Sequence, residues 1–391
     1  MGLGHMRRNL LIAQFLTAAG VEATILMICG AYEAGAFLLP PGVDCVTLPA
    51  LHKEINGSYS SRRLSLTLRD LVALRARTVQ AALEAFRPHL LVVDNVPRGA
   101  LGELEPALKS LRKSGLGRCV LGLRDVLDDP AVVRAEWRRA KNEEAVRDYY
   151  QEVWVYGDPQ VYDLARECGF ASDIADKVRY LGYLDQRPRV DFVPDGRGQP
   201  DRRLPAGPFA LCTVGGGQDG WRLAEAFAHA SAPAGVARVI LAGPAMAWPD
   251  RERLRDRARR DPSLSVLDFV PEPAPLVERA ACVVGMAGYN TACEVMSFGK
   301  RALLVPRVEP RREQLIRAQR LQRLGFVDML HPDELDARVL TRWMQRDFGL
   351  RSPARPDLGG LPRMEQAVRE LVGAPRRLIG ARLDEAQRVS G

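Results

Sequence analysis

What most constrains this chain is a rhythm. Short apolar runs rich in β-branched residues recur along it, each followed by a stretch of helical character. VEATILMIC (21–29), VDCVTLPA (43–50), HLLVVD (89–94), RCVLGLRD (118–125) and EVWVYG (152–157) read as strands. Residues 7–19, 62–86, 101–114 and 131–150 read as the helices among them. Continuous apolar strands separated by helices belong to parallel sheets covered on both faces. At 187–208 the texture breaks into RPRVDFVPDGRGQPDRRLPAGP, dense in proline, glycine and charge, as a linker is. Beyond it the rhythm restarts. FALCTVGG (209–216), ARVILAG (237–243), LSVLDFV (264–270), CVVGMAG (282–288) and RALLVPR (301–307) read as strands. The intervening helices fall at 221–231, 250–260, 273–281, from 290, and at 312–324. The expectation is an α/β protein of two Rossmann-like units, 1–186 and 209–375, with a polar tail at 376–391. Open parallel sheets bind ligands at the carboxyl ends of their strands, so two such units place a cleft between those ends.

The 391 residues suffice for two domains of ordinary size, and no apolar run approaches the ~18 residues that span a bilayer. Arg7 and Arg8 are followed by NLLIAQFLTAAG, which lacks a signal-peptide cleavage pattern. Seven scattered cysteines without a CxxC pair point to free thiols in a reducing cytoplasm. The net charge of +8 lies wholly in 187–391, which holds 33 basic and 25 acidic residues against 23 of each in 1–186. Such a half attracts phosphates. Equally, arginine outnumbers lysine 50 to 6, which can reflect genome composition, and ERLRDRARR (252–260) has the character of a solvated helix face. With aromatics at 6% and no recognition motif, nucleic acid is not an expected partner.

Three loops after successive strands carry chemistry. GGGQDG (215–220) fits GxGxxG, but the next strand ends in Gly243-Pro244 rather than the acid that a dinucleotide fold needs. What remains is a small-residue turn whose amides, with a helix N-terminus, can hold a phosphate. In GMAGYNTACE (285–294), Gly288 permits close backbone approach, and Thr291 and Glu294 share a helical face. A carboxylate there can accept two ribose hydroxyls; the ordinary alternative is helix capping, with Asn290 as cap and Glu294 favoured by the dipole. Glu313-Gln314 opens a helix where an acid and an amide can grip sugar hydroxyls, or simply start the helix. Phe269-Val270, in LDFVPEP, can sandwich a flat base or be an ordinary strand exit.

The run DFVPEPAPLVERAACVVGMAGYNTACEVMSFGKRALLVPR, with REQLIRAQRL, resembles the carboxyl-terminal half of the MurG-like family-28 glycosyltransferases. GLGHMRRN resembles their amino-terminal glycine loop. The resemblance implies a GT-B fold and a nucleotide-sugar donor, usually a UDP-sugar, in the second unit. It puts Phe269 and Val270 at the base and Glu294 at the ribose. Gly215, Gly216, Gly217, Gln218, Gly288 and Thr291 fall at the diphosphate, and Glu313 and Gln314 at the donor sugar. The peptidoglycan enzyme of this family carries two glutamines where this chain has Glu313-Gln314.

The first unit is then expected to bind a small-molecule or lipid-linked acceptor, with Gly4, His5, Asp94, Asn95, Arg124 and Asp125 facing the cleft. His5 is the candidate base, because an imidazole of pKa ~6.5 takes a proton from a hydroxyl near neutrality; Asp94 and Asp125 are the alternatives. Direct attack inverts the anomeric carbon. No Asp-x-Asp occurs, so neither metal nor other cofactor is expected. The glycine stretch has no strand before it, which leads us to expect a translation start further upstream or a truncated sequence. An extension of roughly ten residues, about a strand and its lead-in, would then raise stability. Two rival readings use the same cleft: a UDP-N-acetylglucosamine 2-epimerase type of isomerase, and a non-catalytic nucleotide-sugar binder. Phe37, Leu38 and Leu39 form an apolar loop that can touch a membrane or be buried.

Overall fold

The computed structural model describes residues 3–21, 23–30, 37–53, 59–115, 117–192, 204–346 and 356–373. Fourteen strands lie among them: β1 Ile25–Cys29, β2 Val43–Thr47, β3 Leu51–Lys53, β4 Tyr59–Ser61, β5 Leu90–Asp94, β6 Arg118–Arg124 and β7 Glu152–Tyr156. There follow β8 Val178–Tyr180, β9 Phe209–Thr213, β10 Ala237–Leu241, β11 Leu264–Leu267, β12 Cys282–Gly285, β13 Ala302–Leu304 and β14 Asp328–Met329.

The second half is one parallel sheet in the order β11-β10-β9-β12-β13-β14. The chain runs outward from β9 in one direction and, after returning, from β12 in the other. The strand order therefore reverses between β9 and β12, the place where an open α/β sheet opens a crevice. Both strands are fully buried apolar runs, Phe209–Thr213 and Cys282–Gly285, as strands covered on both faces must be.

The first half is parallel too, but in two pieces. β1 pairs with β2, and β5, β6, β7 and β8 form a second sheet; the two share no ladder. β3 and β4 make a small antiparallel ribbon. The core of the four-stranded sheet is dense, with Val120, Leu121, Val153, Trp154 and Val155 wholly buried.

One apolar cluster spans both halves. Trp154, Tyr156 and Tyr183 of the first join Phe209, Leu211 and Tyr289 of the second. The last described helix, Gly360–Val372, follows the second sheet in sequence but packs on the first half. Its Arg363 donates to the Leu181 carbonyl at 2.6 Å, and Arg179 pairs with Glu370 at 2.6 Å. A Cβ on Gly360 would lie 2.6 Å from the Tyr183 carbonyl oxygen, so only glycine fits this approach.

Several elements differ from the sequence reading. GLGH is not a loop: the first helix runs Leu3–Ala18 and takes in Gly4 and His5. Met6, the two arginines and the leucines that follow are good helix formers, and they extend the helix back to Leu3. The expected helix 131–150 is two, Pro130–Arg139 and Asn142–Tyr149, broken where Lys141 takes a left-handed φ of 50°. Within the expected linker, Pro188–Asp191 is a short helix. The tail from 374, and residues 31–36 of the apolar loop, lie outside the described residues. Of that loop, Phe37 and Leu39 pack on a small cluster while Leu38 is 64% exposed. No described helix is long and apolar enough to cross a membrane.

Candidate active site

A cavity of about 310 Å³ opens at the β9/β12 reversal and faces the first half. Its floor is the turn after β9. Gly215 and Gly217 take left-handed φ of 62° and 91°. A Cβ on Gly217 would lie 2.4 Å from the Ala242 carbonyl oxygen, so this glycine lets the β9 and β10 loops close on each other. Gly215 and Gly216, by contrast, have open space above them and are solvent-exposed. Backbone amides bared in that way, just before the helix Trp221–His229, form an anion cradle.

The opposite wall is the N-terminus of the helix Tyr289–Ser297, capped by Gly288. Asn290 and Thr291 line the cavity from its first turn. Asn290 is not an N-cap, however: its amide donates to the Gly4 carbonyl at 3.0 Å and ties the first half's opening helix to the second half. One turn on, Glu294 is 4% exposed and accepts a hydrogen bond from Arg189 at 2.7 Å. Arg189 also bonds Glu272 at 3.0 Å. This leaves Oε2 of Glu294 with no hydrogen-bond partner among the described residues, on a residue that lines the cavity. Phe269 and Val270 line the same end. The Val270 carbonyl is not free: Arg7 donates to it at 2.9 Å.

Glu313 and Gln314 separate. Gln314 lines the cavity, its side-chain oxygen accepting from the Arg307 amide at 3.1 Å, so its NH₂ remains to donate. Glu313 turns away and pairs with Arg307 at 2.6 Å. Arg307 in turn reaches Asp219 at 3.1 Å and so joins the β9 turn to the Gln314 turn. Of the expected sugar clamp, only Gln314 reaches the cavity.

On the first half's side, His5 lines the cavity from the first turn of its helix. Its Nδ1 lies 2.9 Å from Asp94 Oδ2. Arg8, one helical turn on and buried, bridges both Asp94 oxygens at 2.5 and 2.6 Å. Burial alone would raise the Asp94 carboxyl, but Arg8 and then His5 more than offset it and hold it well below the usual carboxylate range. The carboxylate is thus ionised and accepts from Nδ1–H. Arg8 Nη2 also lies 2.9 Å from this Nδ1. Because that guanidinium already bonds both Asp94 oxygens and the ionised carboxylate is the stronger acceptor, we assign the proton to Nδ1, which leaves the Nε2 lone pair unshared. Burial pushes the imidazole below 6.5, with Asp94 opposing, so it is neutral near pH 7. A neutral imidazole, oriented through one nitrogen and open at the other, is a general base.

Asp125 cannot share that role. It is wholly buried, bound by Arg317 at 2.6 Å and by the Tyr183 hydroxyl at 3.1 Å, and does not line the cavity. A strand-end position made it look exposed; an arginine from the other half covers it. Asp94 acts behind His5 and is not a cavity-lining group. Asn95 holds a left-handed φ of 80°, with its side-chain oxygen buried and unpartnered. Gly4 and Arg124 do line the cavity.

Sequence reasoning passed over Arg8, Arg189 and Arg307. The His5–Arg8 spacing of three is a helical-face signal, hidden once GLGH was read as a loop. Arg189 left no local signal, because its carboxylate partners are remote in sequence, and Arg307 meets Glu313, six residues on, only through the fold of the intervening turn.

Residues 232–346 match the family model of the glycosyltransferase family 28 C-terminal domain. No curated protein is similar to the chain in sequence. Similar solved structures include CalG4, the calicheamicin glycosyltransferase, at 15% identity, TM-score 0.55 and 97% coverage of both chains. The glycosyltransferase SnogD from Streptomyces nogalater is 16% identical with TM-score 0.55, over 93% of this chain and 91% of that one. UDP-GlcNAc 2-epimerase from Neisseria meningitidis is 12% identical with TM-score 0.52, over 89% of this chain and 99% of that one. The family match does not single out the MurG-like branch. The chain has the GT-B fold of two parallel-sheet units about a cleft, and the stretch of its second unit that matches the glycosyltransferase family 28 C-terminal model is 232–346.

Proposed function

We propose that the protein is an inverting glycosyltransferase that moves a sugar from a nucleoside-diphosphate sugar to an acceptor hydroxyl. The observation that carries this reading is the cleft itself. An anion cradle at 215–217, the helix N-terminus at Thr291, Glu294 and Gln314 face, across one cavity, a histidine oriented by a carboxylate. The cradle and helix N-terminus suit the diphosphate, Oε2 of Glu294 suits a ribose, and Gln314 suits the sugar. The donor is then a UDP-hexose or UDP-N-acetylhexosamine. Nε2 of His5 takes the acceptor hydroxyl proton as its oxygen attacks the anomeric carbon; the bond to the diphosphate breaks on the opposite face. Loop amides and helix termini balance the departing charge, so we propose that no divalent metal is required. Activity that is lost in EDTA and restored by Mn²⁺ would overturn that part.

The likeness to UDP-GlcNAc 2-epimerase supports a second reading, isomerisation of the sugar without an acceptor. Thermal-shift screening of UDP, dTDP, GDP and their sugars identifies the donor nucleotide. Incubating the donor alone and with hydroxyl acceptors then separates the readings. Nucleoside diphosphate released only with an acceptor supports transfer, epimerised sugar supports isomerisation, and binding without turnover leaves a carrier. An acceptor on a lipid would bring Leu38 to a membrane surface. Loss of liposome co-sedimentation in Leu38→Asp is the expected result.

A further inference from the structure

Among the described residues, the arginines around the cleft are matched to acids except Arg7 and Arg124. Arg8 pairs with Asp94, Arg317 with Asp125, Arg189 with Glu294, and Arg307 with Glu313. Arg7 is held by the Val270 carbonyl. Arg124, the last residue of β6, lines the cavity, and its guanidinium has no hydrogen bond or ion pair to any described residue. Its Nε is buried and without a partner. Burial, then Arg8 and Arg317, push it down to about 10, still charged at neutral pH. A desolvated cation next to two others is costly unless an anion joins it.

We propose that Arg124 receives an anionic substituent of the substrate, a carboxylate or phosphate borne near the reacting carbon by the transferred sugar or the acceptor. The inference rests on the glycosyl-transfer reading and narrows its substrates to acidic ones. The diphosphate is the less suitable partner. The groups whose charge Arg124 feels are Arg8, Arg317, Glu313 and Asp94, and it acts in turn on His5. These surround the base and the Gln314 turn, not the cradle at 215–217. Guanidinium suits the role, since it binds carboxylate or phosphate through two parallel hydrogen bonds.

The test uses Arg124→Gln and Arg124→Lys in the full chain, with calorimetry and melting temperature. The probes are UDP, UDP-glucose and UDP-glucuronate, or the corresponding set for whichever nucleotide binds. Free glucose, glucuronate and glucose 6-phosphate are added to the UDP-saturated protein. The wild type is expected to bind UDP-glucuronate at least about tenfold more tightly than UDP-glucose, as a charge-assisted pair gives. Arg124→Gln is expected to abolish that preference, Arg124→Lys to keep part of it, and neither to lower the melting temperature. That result assigns the anion to the donor sugar. A charge preference seen only among the free sugars, and lost in Arg124→Gln, assigns it to the acceptor. No charge preference in either arm, an equal loss of UDP and UDP-glucose in Arg124→Gln, or a lowered melting temperature overturns the proposal. Absence of all nucleotide binding by the wild type would instead overturn the function on which it rests.

Discussion

At the scale of single residues the account turns on His5, whose role is fixed by two neighbours rather than by its own chemistry. Asp94 holds one ring nitrogen, and Arg8 keeps Asp94 ionised. His5→Ala is expected to lower kcat by about 10²–10⁴ while nucleotide binding persists. The base works in its neutral form, and burial places its pKa below 6.5. The rate should therefore be flat through neutrality and fall as pH drops through that lowered value. Asp94 opposes the lowering, so Asp94→Asn should slow the reaction and move the acid limb to still lower pH. An acid limb above pH 7 in the wild type would contradict the assignment of His5. Asp94→Asn should also cost about 3–5 kcal/mol of stability, because Arg8 is left buried and unpaired; chemical denaturation measures it.

At the scale of elements, the second half was legible because its central strands are continuous buried apolar runs whose exits bear unusual residues. Gly215-Gly216-Gly217 and Gly288 announce backbone approach, and the sheet order places both at the reversal point. The first half was less so. β3, β4 and β8 have three residues each, too few for any periodicity to show. The helix Gly360–Val372 carries its information in tertiary contacts with β5 and Tyr183, not in local pattern. Glu313 and Asp125 were misplaced for one reason: an acid at a helix start or just past a strand reads as available until the arginine that covers it is known. The same reasoning predicts that Gly217→Val is costly, because it needs both a left-handed φ and room that the Ala242 carbonyl occupies. Its strain of about 1–3 kcal/mol should appear as a lower melting temperature and at least about tenfold weaker nucleotide binding. Gly215→Ala, with open space above it, should lose less melting temperature, by the strain of its φ alone.

At the scale of the whole molecule, the two halves are held in register by charge as well as by apolar packing. Arg317 and Asp125 meet across the boundary, wholly buried, and Arg311–Asp128 and Arg320–Glu167 flank them at 3.4 and 2.6 Å. Arg317→Met should cost about 3–5 kcal/mol, since Asp125 is left charged and enclosed, and Arg317→Met with Asp125→Leu should recover much of the loss. Equal destabilisation by the single and double variants would show that the pair matters for its fit rather than its charge. This boundary brings the His5 helix over the cradle on the second sheet, and the central claim is that the resulting cleft grips the diphosphate of an activated sugar. Calorimetry of UDP, dTDP and GDP, each against its own nucleoside, tests that claim most directly. The account predicts that at least one diphosphate binds at least about a hundredfold more tightly than its nucleoside, the increment of two or so charge-assisted bonds. Diphosphates that bind no better than their nucleosides would contradict it.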